Sequence, residues 1–128
     1  MGSDEGPDEI LEGLVLAVEE APRSARFVVV GQEDVLGPMI ENKPRLKSAN
    51  VEMRHASDII AMGEKPIAGI KQKKDSSMAR ALEMVKENEA DALLSCGNTG
   101  CLMAGGTIRL GPLEAVLCLH PMRVRISA

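Results

Sequence analysis

The chain contains 128 residues with a formal net charge of −4, and Phe27 is its only aromatic residue. A single ring and a net negative charge argue against nucleic-acid recognition, which relies on aromatic stacking and a basic surface. Hydrophobic residues make up 45% of the chain, enough for one domain with an aliphatic core, and no apolar run approaches the roughly 20 residues of a membrane-spanning helix.

The N-terminal half of the sequence alternates between helical and strand patterns. Pro7, followed by acidic residues, predicts the start of a helix whose apolar residues repeat at helical spacing, and Pro22 ends it. A continuous apolar run over residues 26–30 predicts a strand that is buried on both faces. A second helix is predicted over residues 32–41 and a second strand over residues 50–53.

The C-terminal half continues this alternation. Glycines and a proline in residues 57–72 predict short helices joined by turns. Residues 75–77 offer N-cap side chains for an amphipathic helix, a third strand is predicted over residues 91–95, and residues 102–104 have a helical pattern. Strands that alternate with helices predict right-handed βαβ units, and therefore an α/β layer fold with a parallel sheet.

A glycine-rich turn, Gly97-Asn98-Thr99-Gly100, joins the predicted third strand to the following helix. Backbone N–H groups and the helix dipole favour an anion at such a place, and the Thr99 hydroxyl adds a donor. The turn matches neither the dinucleotide-binding pattern nor the Walker pattern. It is interpreted either as a phosphate site or as an ordinary tight turn.

Three lysines, Lys71, Lys73 and Lys74, precede Asp75 and Ser76 at the predicted start of a helix. Ammonium groups at this position clamp a phosphate or attract an acidic partner. The alternative is a solvated loop in which Asp75 or Ser76 merely caps the helix.

Other polar residues carry weaker signals. Asp4 lies in a glycine-rich segment before the first helix and is interpreted as a helix cap, a metal ligand or an orienting carboxylate, while His55 is either an acid–base group or an ordinary polar residue. His120 receives no role. The cysteines Cys96, Cys101 and Cys118 form no CxxC pair, which argues against a zinc site and favours a reducing compartment. We find no nucleophile triad, so an enzymatic reaction here would depend on positioning and on charge neutralisation.

Several segments, in this order, resemble the phosphate acyltransferase family of bacterial phospholipid synthesis. The longest matches have glycine-rich and lysine-rich character and are specific to the family. The matching segments are Met1-Gly2-Ser3-Asp4, residues 51–60 with His55-Ala56-Ser57, Glu64-Lys65-Pro66, Lys73-Lys74-Asp75-Ser76-Ser77-Met78, and residues 95–104.

The resemblance implies an α/β/α sandwich related to phosphotransacetylases. It implies an enzyme that converts acyl-acyl carrier protein and inorganic phosphate to acyl-phosphate in one direct transfer, without a cofactor or a metal. It also implies a homodimer in the cytoplasm, associated peripherally with the membrane. The catalytic residue is not identified, with His55 as a candidate. The residues implied to bind phosphate or substrate are Asp4, Lys73, Lys74, Asp75, Ser76, Gly97, Asn98, Thr99 and Gly100.

The resemblance is expected to cover residues 1–110, as the N-terminal part of an α/β acyltransferase domain, with residues 111–128 forming a tail without family character. On this basis we expect the chain to be shorter than a complete enzyme. Two alternatives stay open. One is a non-catalytic α/β module that binds phosphate or a nucleotide, and the other is an inactive fragment that docks on a full-length subunit.

Overall fold

The structure is a computed structural model, and it describes Gly2 and residues 4–112. Helices dominate this part of the chain. In chain order, the elements are α1 (Pro7–Glu20), β1 (Phe27–Gly31), α2 (Glu33–Glu41), α3 (Pro44–Lys47), β2 (Val51–His55), α4 (Pro66–Gln72), α5 (Ser77–Lys86) and α6 (Thr99–Arg109).

The two strands of the described region form a parallel pair, in which Phe27 lies opposite Val51 and Gly31 opposite His55. The chain crosses from β1 to β2 through α2 and α3, as a parallel connection requires. The predicted α/β class and parallel sheet are therefore confirmed. Because the strands are parallel and in register, both carboxyl ends meet at one edge, where open α/β sheets bind ligands.

A first hydrophobic cluster joins α1, α2 and α3 to the sheet. Its buried members are Leu11, Leu36 and Leu46, and Val29 and Met53 pack against it from β1 and β2. These two strand residues lie opposite each other, so they present one face of the sheet to the helices. Helix α5 also contacts β1, so helices from both halves of the chain pack on the sheet, as in part of an α/β/α sandwich.

A second hydrophobic cluster holds α4, α5 and α6 together. Ile70, Leu82 and Cys101 are buried there, one from each helix. Gly105 lets α6 approach closely, since a Cβ at that position would lie 2.5 Å from the Leu82 Cδ1 atom. This packing fixes where α6 begins.

The strand predicted over residues 91–95 is wrong for the described structure, which has no strand in this segment. Leu93 packs against the second cluster, whereas the neighbouring Leu94 is 91% exposed. An apolar run becomes a strand only when a neighbour satisfies its backbone, and no described strand pairs with this one. The short helix α3 was not predicted. None of the described helices is long and apolar enough to cross a membrane.

Candidate functional site

The segment that connects β2 to α4, residues 56–65, lies at the centre of the candidate site and is called the connecting loop here. It has no helix and only a bridge at Asp58, which pairs with Ser76. Side chains from three other parts of the chain bind its backbone. They are Gln32, then Lys73 and Asp75 from the segment between α4 and α5, and Asn98. The last three are residues that the family resemblance singled out.

Asn98 fastens the connecting loop to the start of α6. Its Oδ1 atom accepts a hydrogen bond from the Cys101 amide at 2.9 Å, which makes Asn98 the N-cap of α6. Its Nδ2 atom donates to the carbonyl oxygens of Ala61, Met62 and Glu64 at 3.2, 2.8 and 3.0 Å. The side chain is buried and fully occupied by these contacts, so it shapes the site and offers no free donor.

The first turn of α6 offers backbone donors to an anion. The amides of Thr99 and Gly100 donate to no residue within the described part of the chain. This turn contains no acidic residue, whereas α2 begins with Glu33 and Asp34. The positive end of the α6 dipole is therefore uncompensated by its own side chains, a condition that favours a bound anion.

The glycines of this turn serve packing and turn geometry. A Cβ at Gly100 would lie 2.7 Å from Cγ of Pro66, the first residue of α4, so only glycine fits without a shift. The Gly97 amide donates to the Ser95 hydroxyl at 3.2 Å. Thr99 is exposed, and its hydroxyl has no partner among the described residues.

Lys73 binds the connecting loop at two points. Its ammonium donates to the Ile59 carbonyl oxygen at 2.6 Å and to Oε1 of Glu64 at 2.5 Å. The same Glu64 oxygen accepts the Ala61 amide at 2.8 Å. The hydrogen bond from Lys73, followed by that from Ala61, holds the pKa of Glu64 below its ordinary value, so this carboxyl is charged at neutral pH.

Asp75 links the connecting loop to α5. Its Oδ2 atom accepts from the Ser57 hydroxyl at 2.6 Å and from the Ser57 amide at 3.1 Å, and its Oδ1 atom accepts from Nε of Arg80 at 2.6 Å. The Ser57 hydrogen bonds, with that from Arg80, hold the pKa of Asp75 well below its usual range. Asp75 is thus a fixed anion with both oxygens engaged, which makes it a poor proton donor.

Ser76 is buried and caps α5, as the capping alternative predicted. Its hydroxyl accepts from the Ala79 amide at 3.3 Å and donates to the Lys73 carbonyl oxygen at 2.8 Å. This second contact fixes the backbone from which the Lys73 side chain extends. Ser76 therefore stabilises the segment that carries Lys73, and it presents no free hydroxyl to a ligand.

Lys74 and Asp4 are exposed, and neither has a hydrogen bond or ion pair with a residue in the described ranges. Gly2, with a φ of +83°, brings the N-terminal segment against the connecting loop, since a Cβ there would lie 2.3 Å from the Ile60 carbonyl oxygen. The segment that carries Asp4 therefore starts on the same loop that Lys73, Asp75 and Asn98 bind.

His55 lies at the carboxyl ends of β1 and β2, in a cleft that Ser57 of the connecting loop also lines. Its Nδ1 atom accepts a hydrogen bond from the Glu33 amide at 3.3 Å. An open cleft of about 620 Å³ lies here, lined by Gln32, Glu33, Asp34, His55 and Ser57. Two carboxylates make this cleft less suited to phosphate than the start of α6.

Three residues of the site were not predicted as site residues: Ser57, Glu64 and Arg80. Ser57 and Glu64 stand in segments that carried the family resemblance, so the matching motifs were the signal that pointed to them. Arg80 stands five residues after Asp75, and no local pattern indicated their pairing. Across the described residues, His, Cys, Asp and Glu side chains form no group suited to a metal ion.

Comparison with known proteins places this chain in a family. The family model described as "Fatty acid synthesis protein" matches residues 1–118 of the chain. The chain belongs to that family. The matched range passes residue 110, and the domain boundary at that residue stays a prediction; most of the tail, including His120 and Cys118, lies outside the described residues.

Curated relatives of the chain carry the name phosphate acyltransferase. The chain is 37% identical over 124 residues to the Clostridium botulinum (strain Loch Maree / Type A3) protein, covering 95% of the chain and 36% of the relative. It is 39% identical over 116 residues to the Thermoanaerobacter pseudethanolicus protein, covering 91% and 33%. The Chlorobaculum parvum protein is 36% identical over 116 residues, covering 91% and 34%. The chain thus spans about a third of the length of these relatives.

Proposed function

We propose that this protein takes part in transferring an acyl group from acyl-acyl carrier protein to inorganic phosphate, and that phosphate binds at the first turn of α6. The name that the relatives carry supports the reaction class. The observation that carries the proposal is the start of α6, where the Thr99 and Gly100 amides have no described acceptor and the first turn has no acidic residue. Lys73 adds a positive charge nearby.

The chemistry follows from what such a site offers. A phosphate oxygen attacks the thioester carbonyl carbon, a C–O bond forms, the C–S bond breaks, and the carrier leaves as a thiolate that takes up a proton. The amides of Thr99 and Gly100 and the ammonium of Lys73 would neutralise phosphate and hold it for attack. A direct transfer needs no protein nucleophile. Both carboxylate oxygens of Asp75 accept hydrogen bonds, which supports a structural role for this residue.

The proposal assigns the residues of the resemblance to two tasks. Thr99, Gly100 and Lys73 contact phosphate. Asn98, Ser76 and Asp75 hold the connecting loop, α5 and α6 in their relative positions. Gly97 shapes the turn. Asp4 approaches from the N-terminal segment and Lys74 lies next to Lys73. His55, in the cleft that Ser57 also lines, stays a candidate for proton transfer.

An acidic carrier protein would meet positive charge on α4. A groove of about 550 Å³ along this helix contains Lys65, Ile67 and Lys71, and Ile67 is 59% exposed. We propose that Lys71 and Lys74 contact the carrier. Lys71→Glu combined with Lys74→Glu should weaken carrier binding at low salt and have less effect at high salt. Unchanged affinity at low salt would reject this contact.

The remaining parts of the proposal are a homodimer, a cytoplasmic location and peripheral membrane association. Sedimentation of the protein and its co-sedimentation with anionic vesicles test the dimer and the membrane contact. A single monomeric species that stays in the supernatant would reject both.

The direct test of the proposed function is phosphate-dependent release of free carrier protein from acyl-acyl carrier protein, measured beside phosphate binding. Release that rises with phosphate and saturates is the expected result. Phosphate binding without release would favour a non-catalytic binding module. Release only after a full-length relative is added would favour a fragment that docks on another subunit. A protein that neither binds phosphate nor releases carrier would contradict the proposal.

A further inference from the structure

Glu64 occupies a position that the proposed reaction leaves unexplained, because a carboxylate beside a phosphate site repels the ligand. Its Oε1 atom nevertheless contacts the Lys73 ammonium at 2.5 Å, and the side chain is about a quarter exposed, at 28%. The same atom accepts the Ala61 amide, so the carboxylate is fixed from the backbone side as well. The carboxylate of the Lys73–Glu64 ion pair is therefore held in place by the lysine and by the backbone.

The Lys73 ammonium is held in place but keeps one N–H donor available. An ammonium carries three N–H donors, and two are directed at the Ile59 carbonyl oxygen and at Glu64. The third has no acceptor among the described residues, and the Lys73 side chain is 36% exposed, so a ligand can reach it. A lysine anchored at two points presents its last donor in one direction, which reduces the entropy lost when it binds an anion.

The pair lies beside the first turn of α6. Asn98, the N-cap of that helix, donates to the Glu64 carbonyl oxygen at 3.0 Å. A Cβ placed at Gly69 would be 3.5 Å from Oε2 of Glu64 and 3.2 Å from the Sγ atom of Cys101, the third residue of α6. Oε2 of Glu64 and Sγ of Cys101 therefore both lie close to Gly69, which places the carboxylate beside α6 at its third residue.

We propose that Glu64 is a positioning residue, which holds the Lys73 ammonium beside the first turn of α6 so that its remaining N–H meets phosphate. This inference rests on the proposed function, because it names the residue that organises the same phosphate site. Glu64 does not touch the reacting atoms. It acts through Lys73, and its own charge is offset by that lysine.

The variant Glu64→Gln separates this task from a merely structural one. A glutamine retains an oxygen that accepts the Ala61 amide, so the connecting loop keeps that hydrogen bond. It loses the negative charge that anchors the lysine. Glu12→Gln is the matched control, since Glu12 makes the same kind of contact with Lys43 in the first cluster region.

The experiment measures binding of inorganic phosphate by the wild-type chain, by Glu64→Gln, Lys73→Met and Glu12→Gln, and by the double variant of Glu64 and Lys73. We expect Glu64→Gln to weaken phosphate binding about tenfold. We expect Glu12→Gln to bind as the wild type does. The double variant should bind phosphate no more weakly than Lys73→Met alone, because the two substitutions remove the same interaction.

Each other result overturns the inference. Equal phosphate binding by Glu64→Gln and the wild type shows that the lysine needs no anchor. Fully additive losses in the double variant show that the two residues act separately. A wild-type chain that binds no phosphate overturns the inference and the proposed phosphate site together. Phosphate binding that depends on Glu64 without any release of carrier protein overturns the acyl transfer alone.

Discussion

The regions around the two hydrophobic clusters are held together by different kinds of contact. Around the first cluster, buried leucines hold α1, α2 and α3 on the sheet, and polar contacts such as that of Lys43 with Glu12 join side chain to side chain. Around the second, polar side chains bind backbone: Asn98 alone engages three carbonyl oxygens of the connecting loop. The first region is therefore a packed scaffold, and the second is a loop shaped by hydrogen bonds.

This difference indicates where we expect the proposed site to lie. A loop without a helix or strand ladder takes its shape from the side chains that satisfy its backbone, so changing one of them changes the surface that the loop presents. Three of the residues that do so here, Lys73, Asp75 and Asn98, are among those that the motifs singled out. In the first region, the side chain of one motif residue, His55, makes such a contact, with the backbone amide of Glu33.

The largest effect on stability is expected from truncating a buried leucine in either cluster. Leu82→Ala and Leu46→Ala each remove a side chain with at most 1% exposure, and each should lower the free energy of unfolding by about 3 kcal/mol. Only Leu82→Ala should also weaken phosphate binding, because Leu82 packs against Gly105 of α6. Chemical denaturation and a phosphate titration of both variants check this. Equal phosphate binding by the two variants would remove the distinction between the regions.

A smaller loss of stability is expected for Asn98→Ala. The change removes the cap of α6 and leaves carbonyl oxygens of the connecting loop without a donor, which should cost about 2 kcal/mol. Phosphate binding should fall as well, since the helix start loses its support. Asn42→Ala, at the exposed C-terminal end of α2, is the control and should change neither quantity. A phosphate affinity that survives in Asn98→Ala would show that the loop keeps its shape without this side chain.

The smallest of these effects depends on pH. Because the pKa of Asp75 is depressed in the folded protein, its contribution to stability is present above its ordinary value of about 3.9 and is lost as the pH falls below it. The difference in unfolding free energy between the wild type and Asp75→Asn should therefore be constant from pH 7 to about 5 and shrink on further acidification. Asp34→Asn on α2, whose side chain binds no described residue, serves as the control. A difference that grows in acid would mean that the Ser57 and Arg80 contacts do not stabilise the charged form.

The sequence predicted elements where the signal is local. Pro7 with its acidic neighbours marked the start of α1, and the run 75–77 contained Ser76, the cap of α5. The strand predicted over residues 91–95 was wrong because pairing depends on a neighbour that no periodicity reveals. For the site, the motifs identified Lys73, Asp75 and Asn98. Their partners were beyond prediction, since Asn98 and the loop carbonyls it binds are 34 to 37 residues apart.

A phosphate titration followed at the backbone amides by NMR tests the proposed phosphate site at the start of α6. We expect saturable shifts concentrated at Thr99 and Gly100, with little change at Glu33 and Asp34, where acidic side chains already occupy the start of α2. Shifts of equal size at both helix starts, or none that saturate at α6, would contradict it.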